Sequence, residues 1–304
     1  MAVNLDDKLV VGISSRALFD LEYENKIYEE QGLQAYLEYQ VEHEKEILRP
    51  GTAFPLIKAL HKLNDGGDQL VEIIVMSKNS ADTSLRIFNS IAAYELDITR
   101  AALTAGAPIA PYLHAFKTDL FLSVYGPDVQ QAIDSNIAAG VILAGGAQES
   151  AASKVEQIRI AFDGDAVLFS ADSERIYQHH GIDAFTEHER TKADIPMQKG
   201  PFANFLMTLA HIQAQFTDRE SSPIRTALVT SRNAPAHERA IKTLREWKVR
   251  VDEAFFLGGV SKKEVLSAFG AHIFFDDQYT HAEPASEVVP AAVVPYRDGD
   301  DPRA

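Results

Sequence analysis

Residues 158–170 read "IRIAFDGDAVLFS". Ile158, Ile160, Ala161 and Phe162 fill four of the first five positions, which predicts a buried strand. Asp163 and Asp165 follow at its carboxyl end, with Gly164 between them. In an open parallel sheet the carboxyl ends of strands point into one crevice, where ligands bind. A strand that delivers two carboxylates there predicts chemistry.

Similar apolar runs recur along the chain: "KLVVGIS", "VEIIVMS", "TDLFLSV", "AAGVILA", "RTALVTS", "DEAFFLGG", "HIFFDD" and "AAVVPY". Between them lie amphipathic stretches such as "PAHERAIKTLREWK" and "KKEVLSAFG". This alternation predicts an α/β fold, a parallel sheet with helices on both faces. Unbroken Val, Ile, Leu and Phe runs fit strands buried on both sides. The stretch "LAGGAQESAASKVEQ" predicts a loop or linker near residues 144–155.

Composition narrows the classes. The 304 residues suffice for one large domain or two ordinary ones, and the net charge of −15 argues against a nucleic-acid surface. No apolar run approaches the roughly 18 residues of a membrane span. The opening "MAVNLDDKLVVGISS" has no basic segment or cleavage pattern, so no secretory signal is expected. The chain has no cysteine, which excludes disulfides and thiolate metal sites and fits a cytoplasmic protein. A homo-oligomer is compatible with all of this.

The chain also resembles itself. Residues 10–64 lie over 159–213 without a gap, with eight identities in 55 positions, where average composition gives about four. Further on, "VMSKN" falls on "VTSRN", "LHAFKTDLFLS" on "LSAFGAHIFFD" and "AAGV" on "AAVV". The expectation is two similar halves: 1–150, and a catalytic 151–297 with a small helical cap insert around 171–222. An acidic tail, 298–304, follows.

In the second half, four strand ends or helix starts carry polar groups in order: Asp163 and Asp165, Thr230 and Ser231, Lys262, then Asp276 and Asp277. Four converging carboxylates and one ammonium are costly without a bound cation, since like charges raise each other's pKa. Oxygen ligands with room for water suit Mg²⁺, and the cation with Lys262 could hold a phosphoryl group. Asp163 could then attack phosphorus. Asp165 could protonate the leaving oxygen and later activate water. Thr230 and Ser231 would donate to phosphate oxygens, and Gly164 would let the backbone approach closely. Each piece alone has a bland reading as a turn, a helix cap or a solvated charge; the ordered set carries the weight.

That order resembles the haloacid dehalogenase superfamily, in "FDGDAV", "LVTS", "GGVSK" and "FFDD". More narrowly, "SSRALFDLE", "AFDGDAVLFSADSERIYQHHGID", "PIRTALVTSRNA" and "HIFFDDQ" resemble the cytosolic type I 5′-nucleotidases, over about residues 9–297. The resemblance implies Mg²⁺-dependent hydrolysis of nucleoside 5′-monophosphates. It implies Asp163 as nucleophile, Asp165 as acid and base, and Thr230 and Lys262 on the phosphate, with Lys263 a weaker rival to Lys262. Asp276 and Asp277 would hold the metal, with Asp163 and Asp165 beside them. A phosphatase for another small phosphometabolite, or a nucleotide-binding regulator, stays open.

In the first half the corresponding positions are Ser14, Arg16, Met76, Ile109, Ser123 and Val124. Formal charge over the six positions goes from −3 to +1. This half is expected to be non-catalytic, a scaffold or a metal-free anion site. Ser14, Ser15, Arg16, Ser77 and Lys78 would there hold a nucleotide effector, or part of the substrate if the halves face each other. The "HH" at 179–180 and "EHE" at 187–189 lack zinc spacing and are expected on a solvated helical insert. Phe185, Phe202, Phe205 and Met207 could stack on a base, a core role being the plainer reading. "DGGD" at 65–68 is expected as a loop without a P-loop pattern.

Overall fold

The computed structural model describes residues 4–297, apart from 6, 66, 68, 145–156 and 217–221. The acidic tail, nearly all of the expected linker and part of "DGGD" lie outside the described residues. The first half runs β1 (Leu9–Ile13), α1 (Ser15–Leu18), β2 (Phe19–Asp20), α2 (Glu22–Glu42), β3 (Arg49–Pro50), α3 (Phe54–His61), β4 (Val71–Ser77), α4 (Leu85–Ala93), β5 (Arg100–Leu103), α5 (Ala110–Ala115), β6 (Leu120–Ser123), α6 (Gly126–Asp134) and β7 (Ala138–Ile142). The second runs β8 (Ile158–Phe162), α7 (Asp172–Thr191), α8 (Ala203–Gln213), β9 (Ile224–Thr230), α9 (His237–Glu246), β10 (Glu253–Phe256), α10 (Lys262–Phe269), β11 (Ile273–Asp276), α11 (Tyr279–Ser286) and β12 (Ala291–Val293). Among the described residues no helix is long and apolar enough to cross a membrane.

Both halves build one ten-stranded sheet, in the order β10-β9-β8-β11-β12-β7-β6-β1-β4-β5. Read outward from the β12–β7 seam, the two halves have the same strand order. Within each half neighbouring strands are parallel. The seam alone is antiparallel, with Ala292 opposite Ile142 and Val293 opposite Val141. The strands of the two halves therefore run in opposite senses. Their carboxyl ends leave the sheet at opposite edges, so Ser14 and Ser77 do not face Asp163. The expectation that the first half's strand ends share the substrate fails for this reason.

Strand register also corrects the internal alignment. Leu9 pairs with Val71 as Ile158 pairs with Ile224. Thr230 therefore corresponds to Ser77, not to Met76. The local bonding agrees: Asn79 N donates to Ser77 Oγ (3.1 Å) as Arg232 N donates to Thr230 Oγ1 (3.2 Å). Short apolar strands allow a one-residue slip in sequence; the ladder does not.

The shared local features have physical causes. Both α2 and α7 bend at a glycine with positive φ, Gly32 at 88° and Gly181 at 78°, a conformation other residues adopt at a cost. Gly51 and Gly200 occupy equivalent positions where the chain passes close to another backbone segment. A Cβ on Gly51 would lie 2.7 Å from Ala17 O, and one on Gly200 2.3 Å from Phe169 O. Around the end of β8, Phe162, Phe202, Phe205 and Phe275 form an aromatic cluster, with Phe202 and Phe275 centroids 4.5 Å apart. Phe202 and Phe205 are thus core, not base-stacking residues.

Gly51→Ala and Gly200→Ala should each destabilise the fold by about 1–3 kcal/mol, as overpacking does. Gly126→Ala, whose Cβ would meet only Val141 Cγ2 at 4.0 Å, should change little. Urea unfolding of the three variants checks this; equal midpoints would contradict it.

Candidate active site

The order of the second half's strands sets the site. β8 lies between β9 and β11, so Asp163, Thr230 and Asp276 leave the sheet side by side. Asp163 N donates to Phe275 O (2.8 Å), continuing the ladder one residue past the strand. Lys262 opens α10, whose Ser261 cap accepts from Lys263 N and whose end is closed by left-handed Gly270. This fixes the Lys262 side chain inward, where it is 4% exposed. Its Nζ donates to Asp163 Oδ1 (2.7 Å) and to Asp276 Oδ2 (2.6 Å). Lys263, the rival, points outward and pairs with Glu287.

Asp163, Asp276 and Asp277 are all buried, and each offers a carboxylate oxygen within 4.8 Å of the others. Burial pushes the Asp163 carboxyl up to about 7; Lys262 opposes the rise and Asp276 adds to it. Burial, with Asp163 and Asp276 beside it, holds Asp277 well above the usual carboxylate range. Burial would raise Asp276 too, but Lys262 and His281 more than offset it and bring it below its ordinary value. Burial would lower Lys262, yet Asp163 and Asp276 keep it above the usual lysine range. Three buried carboxyl groups face one ammonium, and two of them are held above their ordinary range by burial and by their neighbours. An all-oxygen donor set of this kind fits a hard divalent cation.

Gly164 keeps the approach open: a Cβ there would sit 3.2 Å from Thr230 Oγ1. Ser231 is exposed. Tyr296 Oη donates to Asp277 Oδ2, and Gln278 N donates to Asp276 Oδ1 (2.9 Å). The carboxylate of Asp165 does not join the three. Both its oxygens are held by Arg232, from Nε and Nη2 at 2.7 Å each. Arg232 also donates to Glu189, which is 1% exposed. Glu189, in the "EHE" expected to be solvated, is therefore a buried anchor of the long helix α7. Glu187, His179 and His180 are exposed as expected.

Sequence reasoning missed Arg232, Glu189 and Tyr296. "TSRN" holds a hint of the first, an arginine two residues past the hydroxyl. Nothing local marks Glu189 or Tyr296, which come from distant segments.

At the opposite edge, Ser14 Oγ caps α1 by accepting from Ala17 N (3.2 Å), and Ser15 Oγ lies 3.1 Å from Ser77 Oγ. Arg16 donates to Asn25 and Glu22, both at 2.8 Å. Lys78 pairs with Asp128 at 2.6 Å. An anion entering there would have to displace two carboxylates.

Set beside known protein families, residues 1–301 match the 5′-nucleotidase family. The chain belongs to the 5′-nucleotidase family. It is 39% identical over 291 residues to human cytosolic 5′-nucleotidase 1B, covering 92% of this chain and 47% of that protein. The chain thus spans about half the length of the curated relative it matches. A solved histidinol dehydrogenase from Elizabethkingia anophelis is similar at 9% identity and a TM-score of 0.25, over 80% of this chain and 49% of that one, too distant to inform the fold. In this family member the three buried carboxylates lie at or just past the ends of β8 and β11.

The charge cluster predicts a linkage between cation and pH. Asp163 titrates higher folded (about 7) than unfolded, near 4. Its protonation therefore favours the fold below pH 4, and that contribution fades as pH rises towards 7. Mg²⁺ should offset the resulting charge, so its effect on Tm should be larger at pH 8 than at pH 5. Thermal melts with and without Mg²⁺ at both values check this; equal shifts would contradict it.

Proposed function

We propose that the protein is a phosphoric monoester hydrolase that releases phosphate from nucleoside 5′-monophosphates through an aspartyl-phosphate on Asp163. The observation that supports this most is Lys262 Nζ within hydrogen-bond distance of both Asp163 and Asp276, with Asp277 completing a group of three carboxylates. A Mg²⁺ ion held by Asp163, Asp276 and Asp277 would supply positive charge to the phosphoryl oxygens.

The chain's own residues divide the work. The carboxylate of Asp163 forms a bond to phosphorus as the bond to the 5′-oxygen breaks. Asp165 gives its proton to that oxygen, and the nucleoside leaves. In the second step Asp165 takes a proton from water, whose oxygen attacks phosphorus. The acyl-phosphate bond breaks and Asp163 is restored. Lys262 offsets charge on the transferred group, and the Thr230 hydroxyl donates to one of its oxygens. A cytosolic setting belongs to the same reading, and rests on the name of the human relative.

A panel of nucleoside monophosphates and sugar phosphates, assayed for phosphate release with and without Mg²⁺, tests the reading. The 5′-nucleotides should be the preferred substrates, in a Mg²⁺-dependent reaction. Asp163→Asn should lose at least ~10³-fold in kcat, as loss of a nucleophile does. Preference for a sugar phosphate would favour a phosphatase of another metabolite, and full turnover by Asp163→Asn would sink the mechanism.

A further inference from the structure

Arg232 follows β9 by two residues and is buried. A guanidinium has five N–H donors in a fixed plane. Here all are engaged. Nε and Nη2 form the fork on Asp165. Nη1 donates to Glu189 Oε2 and to Ala236 O (3.2 Å), and Nη2 also reaches Met197 Sδ (3.2 Å). The Phe185 ring lies 5.3 Å from the guanidinium carbon. Glu189 is fixed in turn by Arg239 Nη1 and Ser173 Oγ, each at 2.9 Å, with His188 Nδ1 at 3.0 Å. A continuous chain, Asp165–Arg232–Glu189–Arg239, therefore ties the end of β8 to the long helix α7 and to α9.

Stability is a poor explanation for it. A buried ion-pair network often gains nothing over an apolar core of equal volume. The first half provides an internal comparison. The counterparts of Asp165, Glu189, Arg232, Arg239 and Ser173 are Arg16, Gln40, Asn79, Arg86 and Glu24. The outer arginine is kept and pairs with Glu24 at 2.6 Å. The inner one is not: Asn79 Oδ1 accepts from Tyr36 Oη (3.2 Å), and buried Gln40 Oε1 has no partner. The half without an acid at its first strand end also lacks the guanidinium that would hold one.

We infer that Arg232 is the positioning residue for Asp165, aiming its carboxyl at the leaving oxygen, and that Glu189 sets this aim from α7. The inference rests on the aspartyl-phosphate route proposed above. The fork leaves Asp165 free to react, because a carboxylate has about four acceptor positions and the fork uses two. Lysine could keep the charge but not the planar two-bond grip.

The leaving group distinguishes positioning from mere support of the fold. Expulsion of a 5′-alkoxide needs the proton of Asp165. Expulsion of a thiolate does not. The test compares the best nucleoside monophosphate with its analogue carrying sulfur at the bridging 5′ position. Nucleoside release is followed in the first turnover, in wild type, Arg232→Lys, Arg232→Ala, Glu189→Gln and Asp165→Asn. The arginine variants should slow release from the oxygen ester about 10²-fold, the lower end for general acid catalysis. KM should change little, and release from the sulfur analogue should fall less than about threefold. Asp165→Asn should show the same selectivity, and Glu189→Gln a weaker form of it. Equal losses on both substrates, or no loss on either, would overturn the inference. Should Arg232→Ala fail to fold, Arg232→Lys, checked by thermal melting, decides the question. Wild type inactive on every phosphomonoester would instead overturn the underlying function, and the inference with it.

Discussion

A single buried ammonium organises one edge of the sheet. Lys262 reaches Asp163 from one side and Asp276 from the other, and all three are buried. An ion pair in such a place is costly to form and more costly to break. Its geometry is therefore held by the surrounding elements: the capped start of α10 and two adjacent strand ends. Asp277 joins the pair, its burial eased by the Tyr296 hydroxyl and by the charge of Lys262. Three carboxyl groups thus share one ammonium, which gives a bound divalent cation its place in the proposed chemistry.

The antiparallel seam keeps the two copies of the fold from sharing one cleft. Joined through β12 and β7, the halves turn their strand ends to opposite edges of one sheet. Each edge keeps the same backbone turn after its second long strand, with a hydroxyl accepting from the residue two further on. What differs is the charge placed on that frame. Around Asp163 three buried carboxylates meet one lysine. Around Ser14 the cations Arg16 and Lys78 are neutralised from within the fold. The same architecture thus carries opposite charge arrangements on its two edges.

The α/β class, the two similar halves and the placement of Asp163, Thr230, Lys262 and Asp276 were legible in the chain, because each of those residues closes an apolar run or opens a helix. A strand end has few places to put its side chain, so order along the chain translates into proximity. Besides the shared substrate site ruled out by the seam, two expectations failed for reasons that pattern cannot carry. The one-residue slip between Met76 and Ser77 arose because a run such as "VEIIVMSKN" looks alike in either register. Glu189 was expected in water because "EHER" is a polar string, yet two arginines from other segments enclose it.

The amino-acid sequence by itself determined which residues stand at the ends of strands, because apolar runs and their polar stops are local properties. It determined that one half carries carboxylates at the aligned strand ends and the other does not. Only the tertiary structure decided that the two edges face apart, and that Lys262 rather than Lys263 turns inward. It alone decided that Arg232 joins Asp165 to a helix forty-three residues back along the chain. Those outcomes depend on strand sense at the seam, on helix phase and on burial, which arise only when distant segments meet.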